Sequence, residues 1–193
     1  MTAALDMRDN ETQLHSRRVS AYAFRLAVEV GLDENDCRTV EQGALLHDVG
    51  KIGVPDSVLL KPGKLDEDEW RVMKRHPAIG SDLLSHIDFL EGARQIIVQH
   101  QERFDGKGYP RGLAGSDICI GARIFAVVDT YDAITSDRPY RAAQPYEAAA
   151  AEIARAAGTQ LDPTVTAAFL RLPADVWHEI RDAVAAYALR EAA

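Results

Sequence analysis

The sequence predicts an all-α fold, and three observations support this prediction. No segment alternates apolar and polar residues as a half-buried β-strand does. Apolar residues instead recur at helical spacing in several segments, and residues typical of helix ends separate those segments. The 193 residues are 47% hydrophobic and 27% charged, which is enough for a domain with a buried core. We therefore predict a single helical domain over residues 1–193.

The first two helices are predicted from apolar periodicity and from the residues at their ends. Residues 10–30 repeat apolar side chains at helical spacing, and Gly31 is suited to ending that helix. Asp33 can cap a second helix that runs toward Gly50. Residues 51–64 are rich in Pro, Gly and Lys, so we predict a loop there with room for one helical turn.

The next two predicted helices meet at a bend. Asp66 and Glu69 have the spacing of a capping box, which predicts a third helix through about Lys74. Pro77 suits the first turn of the following helix, and this places His76 at the bend between the two. A side chain at such a bend can point into a site.

The central part of the chain combines two helices with a long loop. Residues 89–103 are predicted to be helical, with His100 near the end. Residues 104–119 contain four glycines and a proline, which predicts an irregular loop long enough to have a function. Residues 122–135 predict a buried helix that is interrupted by Asp129. A carboxylate in such a helix is costly unless it is paired or binds a metal.

Three further helices are predicted in the last third of the chain. Residues 145–157 are rich in alanine and favour a helix. Asp162 precedes a proline and is suited to cap a helix over residues 163–171. Pro173 begins the last helix, whose apolar residues are expected to pack on the core or on a second subunit.

The composition restricts the partners. The net charge of −8 argues against a nucleic acid polymer, because phosphate backbones need a basic surface, although metal cations can offset the charge of a small phosphate ligand. No apolar run is long enough to span a membrane. The two cysteines form no C-x-x-C motif, so a cytoplasmic location is expected.

Histidines and acids recur where metal ligands are needed. The segment A-L-L-H-D-V-G-K-I-G, residues 44–53, places an imidazole beside a carboxylate, and a carboxylate can bridge two metals. Taken singly, each histidine or acid is more often an ordinary surface or core residue. Together they can supply ligands for at least two metals: His15, which has the acid Glu11 one turn away, His47, Asp48, His76, His100 and Asp129.

Several motifs occur in a fixed order: H-D-x-G-K, H-P, H-x-E-R-x-D-G-x-G-Y-P and D-x-x-D-A-x-T-S-x-R-P-Y. In this order they resemble the HD-GYP family, a branch of the HD-domain metal-dependent phosphohydrolases. The resemblance implies an HD-domain-like helical bundle with a long irregular loop around Gly-Tyr-Pro. It also implies a metal-site core over about residues 1–141 and additional C-terminal helices over about 142–193.

The resemblance also implies a reaction and a role for each matching residue. It implies hydrolysis of cyclic di-GMP to pGpG, and often to GMP, with two or three divalent metal ions that are most often iron or manganese. The metal ligands implied are Glu11, His15, His47, Asp48, His76, His100 and Asp129. The catalytic residues implied are Asp48, which bridges metals, and Lys51, which contacts the scissile phosphate. The substrate-binding residues implied are Asp9, Tyr109, Arg138 and Arg141.

Two positions depart from the family pattern. Gln101 stands where the family usually has a second histidine, and an amide is a poor ligand for iron or manganese. Arg141 stands where the family more often has lysine. The first hypothesis is a phosphodiesterase, and the second is a module that binds cyclic di-GMP or a protein without cleavage. A third is an HD hydrolase of another phosphorylated nucleotide. A signalling protein bound at the Gly-Tyr-Pro loop and a homodimer are further expectations.

Overall fold

The computed structural model describes residues 14–138 and 141–191. These residues form α-helices, three short 3-10 helices and no β-strand, which confirms the all-α prediction. The α-helices are α1 His15–Val30, α2 Glu34–Leu46, α3 Asp56–Leu59, α4 Glu67–Met73, α5 His76–Leu83, α6 Glu91–Gln99, α7 Ile120–Thr135, α8 Tyr146–Ala156, α9 Pro163–Arg171 and α10 Ala174–Glu191. The 3-10 helices are Val49–Gly53, Asp88–Leu90 and Gly115–Asp117.

The predicted cap residues begin three of these helices. Asp33 accepts a hydrogen bond from the backbone N–H three residues later, at the start of α2. Asp66 and Glu69 form a complete capping box at the start of α4, with both reciprocal hydrogen bonds present. Asp162 accepts from two backbone N–H groups in the first turn of α9. Each cap therefore satisfies N–H groups that have no partner within the helix.

Two helix ends differ from the prediction. The helix predicted over residues 89–103 is divided into a 3-10 turn and α6, and α6 ends at Gln99, so His100 is its C-cap. The second helix ends at Leu46 and not near Gly50, because the chain tightens there into the 3-10 helix Val49–Gly53. Both changes place a histidine at or just beyond the last helical turn, where its side chain is not part of a helix face.

Helices α1 and α7 lie at the centre of the core. Helix α1 packs on α2, α7, α9 and α10, and α7 also packs on α8 and α9. A group of buried aromatic rings joins these helices, with centroids 4.5 to 5.7 Å apart for the pairs among Tyr22, Tyr131, Phe169 and Trp177. Of α10, only Trp177 is fully buried, and half-buried Ile180 also packs against the core.

A close backbone contact brings α5 against the 3-10 helix that follows α2. A Cβ atom on Gly50 would lie 1.9 Å from the carbonyl oxygen of His76, which is far inside van der Waals contact. Glycine is therefore required at this position for the two segments to meet. The contact places His76 beside Asp48, two residues before Gly50.

Among the helices of residues 14–138 and 141–191, none combines the length and the apolar character that crossing a bilayer requires.

Candidate metal centre

Three buried histidines share one hydrogen-bonding arrangement. His47, His76 and His100 each place Nδ1 2.7 to 2.8 Å from a backbone carbonyl oxygen three residues earlier. The carbonyl groups belong to Ala44, Met73 and Ile97. A carbonyl oxygen only accepts, so the proton of each neutral imidazole lies on Nδ1 and the lone pair lies on Nε2. The helix ends thus direct three Nε2 atoms toward one place.

The carboxylate of Asp48 lies where these nitrogens meet. Its Oδ2 is 2.9 Å from His47 Nε2 and 2.8 Å from Lys51 Nζ. Its Oδ1 is 3.3 Å from His76 Nε2 and 3.7 Å from His100 Nε2, and those two nitrogens are 3.1 Å apart. Within the described residues, Oδ1 is buried and accepts no hydrogen bond.

This arrangement fits a divalent cation. Two imidazole lone pairs and a carboxylate oxygen converge in a buried place, and with both protons held on Nδ1 none of the three can donate to another. Buried polar atoms are normally paired, so such a cluster of acceptors needs a cation between them. Nitrogen and oxygen donors of this kind suit zinc, iron or manganese. Asp48, His76 and His100 therefore form a set that can hold a metal ion.

The charge states of the cluster agree with this assignment. Burial opposes ionisation of Asp48, but His47 and Lys51 beside it hold the pKa of its carboxyl well below the usual value. Burial and the neighbouring His100 lower the pKa of His76 to about 4. At neutral pH the cluster therefore contains a carboxylate and a neutral imidazole, which are the forms that bind metals.

A second arm of the site comes from α1 and α7. His15 Nδ1 lies 2.8 Å from Oδ2 of Asp132, and His15 Nε2 lies 3.6 Å from Oδ1 of Asp129. Arg18, one turn after His15, donates to both oxygens of Asp132 at 2.6 and 2.9 Å. Burial opposes ionisation of Asp132, but the hydrogen bonds from His15 and Arg18 hold its pKa below the usual value. The ring of His15 lies 5.4 Å from that of His47, so the two arms adjoin.

The buried carboxylate of α7 differs from the one that the sequence predicted. Asp129 was expected to be the buried, costly acid, but its side chain is 41% exposed and lines a cleft. Asp132 is the buried acid, 1% exposed, and it is paired with Arg18. The ion pair of Asp132 with Arg18 was not predicted from the sequence. The spacing of His15 and Arg18 on one helix face was a local signal, but the partner lies 114 residues away.

A cleft of about 660 Å³ opens beside His100 and Asp129. Tyr109 lines it, with its ring 6.4 Å from that of His76, and burial together with Asp48 raises the pKa of Tyr109 to about 12. Gln101 also lines this cleft. The Gly-Tyr-Pro loop is therefore a wall of the cleft.

The loop is anchored by an acid that adjoins the candidate ligands. The buried carboxylate of Glu102 accepts hydrogen bonds from the backbone N–H groups of Arg111 and Leu113, at 2.7 and 3.1 Å. The N–H of Tyr109 donates to the carbonyl of Gln101 at 3.1 Å. These contacts tie the two sides of the loop to the segment that follows α6, and so they fix Tyr109 relative to His100.

The remaining predicted substrate residues lie at the edge of the site or outside the described residues. Arg138 and Arg141 are exposed, and the backbone N–H of each donates to the carbonyl of the other. The guanidinium of Arg141 donates to the carbonyl of Ala133 and lines a second cavity that also reaches Asp129. Asp9 and Glu11 lie outside the described residues.

Comparison with protein families identifies the fold. A family model described as HD domain matches residues 1–165. The chain belongs to the HD-domain family. This assignment agrees with the adjacent His47–Asp48 pair at the centre of the site, and the HD-GYP resemblance is confirmed by the relatives of this HD domain.

Three curated relatives cover most of this chain. The cyclic di-GMP phosphodiesterase response regulator RpfG of Xanthomonas campestris is 47% identical over 89% of the chain, and a cyclic di-GMP phosphodiesterase of Thermotoga maritima is 42% identical over 89%. The 3′3′-cGAMP-specific phosphodiesterase 3 of Vibrio cholerae is 38% identical over 85%. The chain spans 46, 47 and 36% of their respective lengths, so it matches less than half of each relative.

Two solved structures share the fold. A cyclic GMP-AMP-specific phosphodiesterase of Vibrio cholerae aligns with a TM-score of 0.72 over 93% of this chain and 51% of its own, at 18% identity. An HD-GYP protein of Bdellovibrio bacteriovorus aligns with a TM-score of 0.65 over 83% of this chain and 51% of its own, at 22% identity. At these identities the two structures support the helical HD fold.

Proposed function

We propose that this chain is a metal-dependent phosphodiesterase that hydrolyses cyclic di-GMP to pGpG and onward to GMP. One observation carries the proposal: Asp48 Oδ1 and the Nε2 atoms of His76 and His100, which are three hydrogen-bond acceptors, lie close together in a buried place. The names of the relatives supply the substrate class, because each acts on a cyclic dinucleotide that contains guanine.

Two or three divalent ions, iron or manganese, would be held by the ligands His15, His47, Asp48, His76, His100 and Asp129, with Glu11 as a further ligand. When bound, such ions lower the pKa of a bound water and offset charge on phosphoryl oxygens. The carbonyl groups behind His47, His76 and His100 keep each Nε2 directed at the cluster. Asp132 does the same for His15 through Nδ1.

Charged and aromatic groups of the chain would bind the dinucleotide. Lys51 holds its ammonium 2.8 Å from Asp48, which places a positive charge beside the cluster to stabilise an anionic phosphate. Tyr109 would contact the substrate from the loop wall, and Arg138 and Arg141 can meet phosphate through planar guanidinium groups. Asp9 completes the proposed substrate-binding set. The signalling-protein partner at the loop and the homodimer remain predictions.

Binding without turnover is the second candidate function. Gln101 lines the cleft next to His100, at the position where the family usually has a histidine. An amide ligates iron or manganese more weakly than an imidazole does. The cleft and the cationic groups around it would still bind a cyclic dinucleotide. In this second candidate function the chain binds the dinucleotide but does not hydrolyse it.

The test measures metal content and turnover in the same preparations. Protein purified anaerobically with iron or manganese should contain at least two metal ions per chain and release pGpG or GMP from cyclic di-GMP. His47→Ala should lose metal and turnover together. His86→Ala is the matched control, because His86 is exposed and lies outside the cluster, and it should keep both.

Two results would contradict the proposal. Full turnover in His47→Ala would show that the cluster is not the reaction centre. Fewer than two metals and no turnover in the wild-type chain, with cyclic di-GMP still bound, would establish the binding module. Preferred cleavage of a different phosphorylated nucleotide in a substrate panel would replace the proposed substrate.

A further inference from the structure

Helix α4 presents one face to the cleft. Glu67, Trp70, Arg71 and Lys74 all line the cleft, and they occur at positions i, i+3, i+4 and i+7, the spacing of one helix face. No residue of α4 is buried. Packing of the core therefore does not account for the side chains on this face, although one of them is the large indole of Trp70.

The exposure of Trp70 is unusual for its side chain. Trp70 is 45% exposed, whereas Trp177, the other tryptophan, is fully buried in the core. Within the described residues, no aromatic ring packs on Trp70. An exposed indole that lines a cleft is a surface on which a nucleobase can stack.

Charge around the cleft matches a phosphorylated ligand. Lys74 places its ammonium 5.4 Å from the centre of the Tyr109 ring and so connects the α4 wall with the loop wall. Lys107 lines the cleft from the loop. Arg71 and Arg103 also line it, but they form ion pairs with neighbouring acids on the surface. The two lysines therefore provide the positive charge for phosphate, and Trp70 provides the apolar surface for a base.

Glu67 gives this face a means of selecting the base. It lies one turn before Trp70 on the same face. The Watson–Crick edge of guanine presents two adjacent donors, N1–H and the N2 amino group, which match the two oxygens of a carboxylate. The same edge of adenine presents an acceptor at N1, which a carboxylate repels. A carboxylate beside a stacking surface therefore favours guanine over adenine.

We propose that the cleft face of α4 is a guanine-binding subsite, in which Trp70 stacks on the base and Glu67 accepts hydrogen bonds from N1–H and the N2 amino group. This inference rests on the proposed function, because it assigns one guanine of the cyclic dinucleotide to α4 while a phosphate lies toward His100 and Asp129. The subsite adds a specificity-determining surface that the metal cluster cannot provide.

The first experiment separates binding from turnover by kinetics. Trp70→Ala should raise KM for cyclic di-GMP about tenfold and change kcat by less than about twofold, because stacking is lost while the metal cluster is intact. Trp70→Phe should recover most of the loss, since a smaller ring still stacks. Phe89→Ala is the control, because Phe89 is 79% exposed and lies outside the cleft, and its KM should equal that of the wild-type chain.

The second experiment does not require turnover. Tryptophan emission of the wild-type chain should be quenched saturably by GMP and less strongly by AMP, because the exposed indole is the one that stacks. Trp70→Phe should abolish the quenching, since the remaining Trp177 is in the core. Glu67→Gln should reduce the difference between GMP and AMP, because the amide can also donate to adenine N1.

The results distinguish this inference from the proposed function. Normal hydrolysis with an unchanged KM in Trp70→Ala, and no quenching by GMP, would overturn the subsite and leave the phosphodiesterase in place. Saturable quenching by GMP without hydrolysis would support the subsite and overturn the phosphodiesterase. Equal quenching by GMP and AMP would overturn the selection of guanine by Glu67.

Discussion

Two buried aspartates in this chain have opposite surroundings. Asp132 is 1% exposed, and both of its oxygens accept hydrogen bonds, from Arg18 and His15. Asp48 is 8% exposed, and one of its oxygens meets two imidazole nitrogens without accepting a hydrogen bond from any described residue. The pKa of each carboxyl lies below its usual value, so both are ionised at neutral pH.

The difference separates a carboxylate that is paired within the fold from one that we propose as a metal ligand. The charge of Asp132 is balanced within the protein, as expected of a structural ion pair that also orients His15. The charge of Asp48 is balanced at only one oxygen, by His47 and Lys51, and its other oxygen needs a cation from outside the chain. Exposure alone would not separate the two residues, because both are buried.

Asp48→Asn should have the largest effect on the reaction. The substitution keeps the shape of the side chain but removes the charge that faces His76 and His100, so bound metal should fall below one ion per chain and hydrolysis should fall to background. Elemental analysis and cyclic di-GMP turnover measure these effects. The unfolding free energy of the metal-free chain should change less than it does in an Asp132 variant. Retention of metal and turnover would refute the role assigned to Asp48.

Asp132→Ala should have the largest effect on stability. It leaves the guanidinium of Arg18 buried without its carboxylate, which costs about 3–5 kcal/mol of unfolding free energy. It also removes the acceptor of His15 Nδ1, so metal affinity should fall about 10- to 100-fold. Urea unfolding of the metal-free chain measures the first effect, and metal titration at a temperature where the variant is folded measures the second.

A double substitution separates the two roles of Asp132. Arg18→Met combined with Asp132→Leu replaces the buried ion pair by apolar side chains, which is often neutral for stability. The double variant should regain most of the lost unfolding free energy but not the metal affinity, because His15 still lacks an acceptor. Recovery of both properties would show that the pair stabilises the fold without orienting His15.

The sequence was sufficient to predict those features whose determining contacts lie within a few residues. The caps at Asp33, Asp66 and Asp162 act within three residues, and each was predicted and observed. The pairing of Asp132 with Arg18 joins α7 to α1 and depends on the rotation of α7 in the core. The apolar pattern of α7 did not show which of two acids three residues apart faces the core, so Asp129 was predicted to be the buried one.

The cleft and the metal centre could not be predicted from the sequence for the same reason, because both depend on contacts between distant parts of the chain. His47, His76 and His100 were recognised as candidate ligands from motifs, but their convergence on Asp48 depends on the close backbone contact at Gly50. The face of α4 was not recognised, because the sequence does not show that this helix packs no residue in the core.

Gln101→His should have the smallest effect of the three single substitutions. The substitution supplies an imidazole next to His100 in the cleft, without altering either buried aspartate. If Gln101 weakens one metal position, the variant should bind additional metal or turn over cyclic di-GMP several-fold faster, because an imidazole ligates iron and manganese better than an amide does. Metal content and kcat measure the effect, and Gln101→Ala is the control for loss of the amide alone. Unchanged metal content and kcat would show that Asp48 and its histidines hold the metals without a ligand at this position.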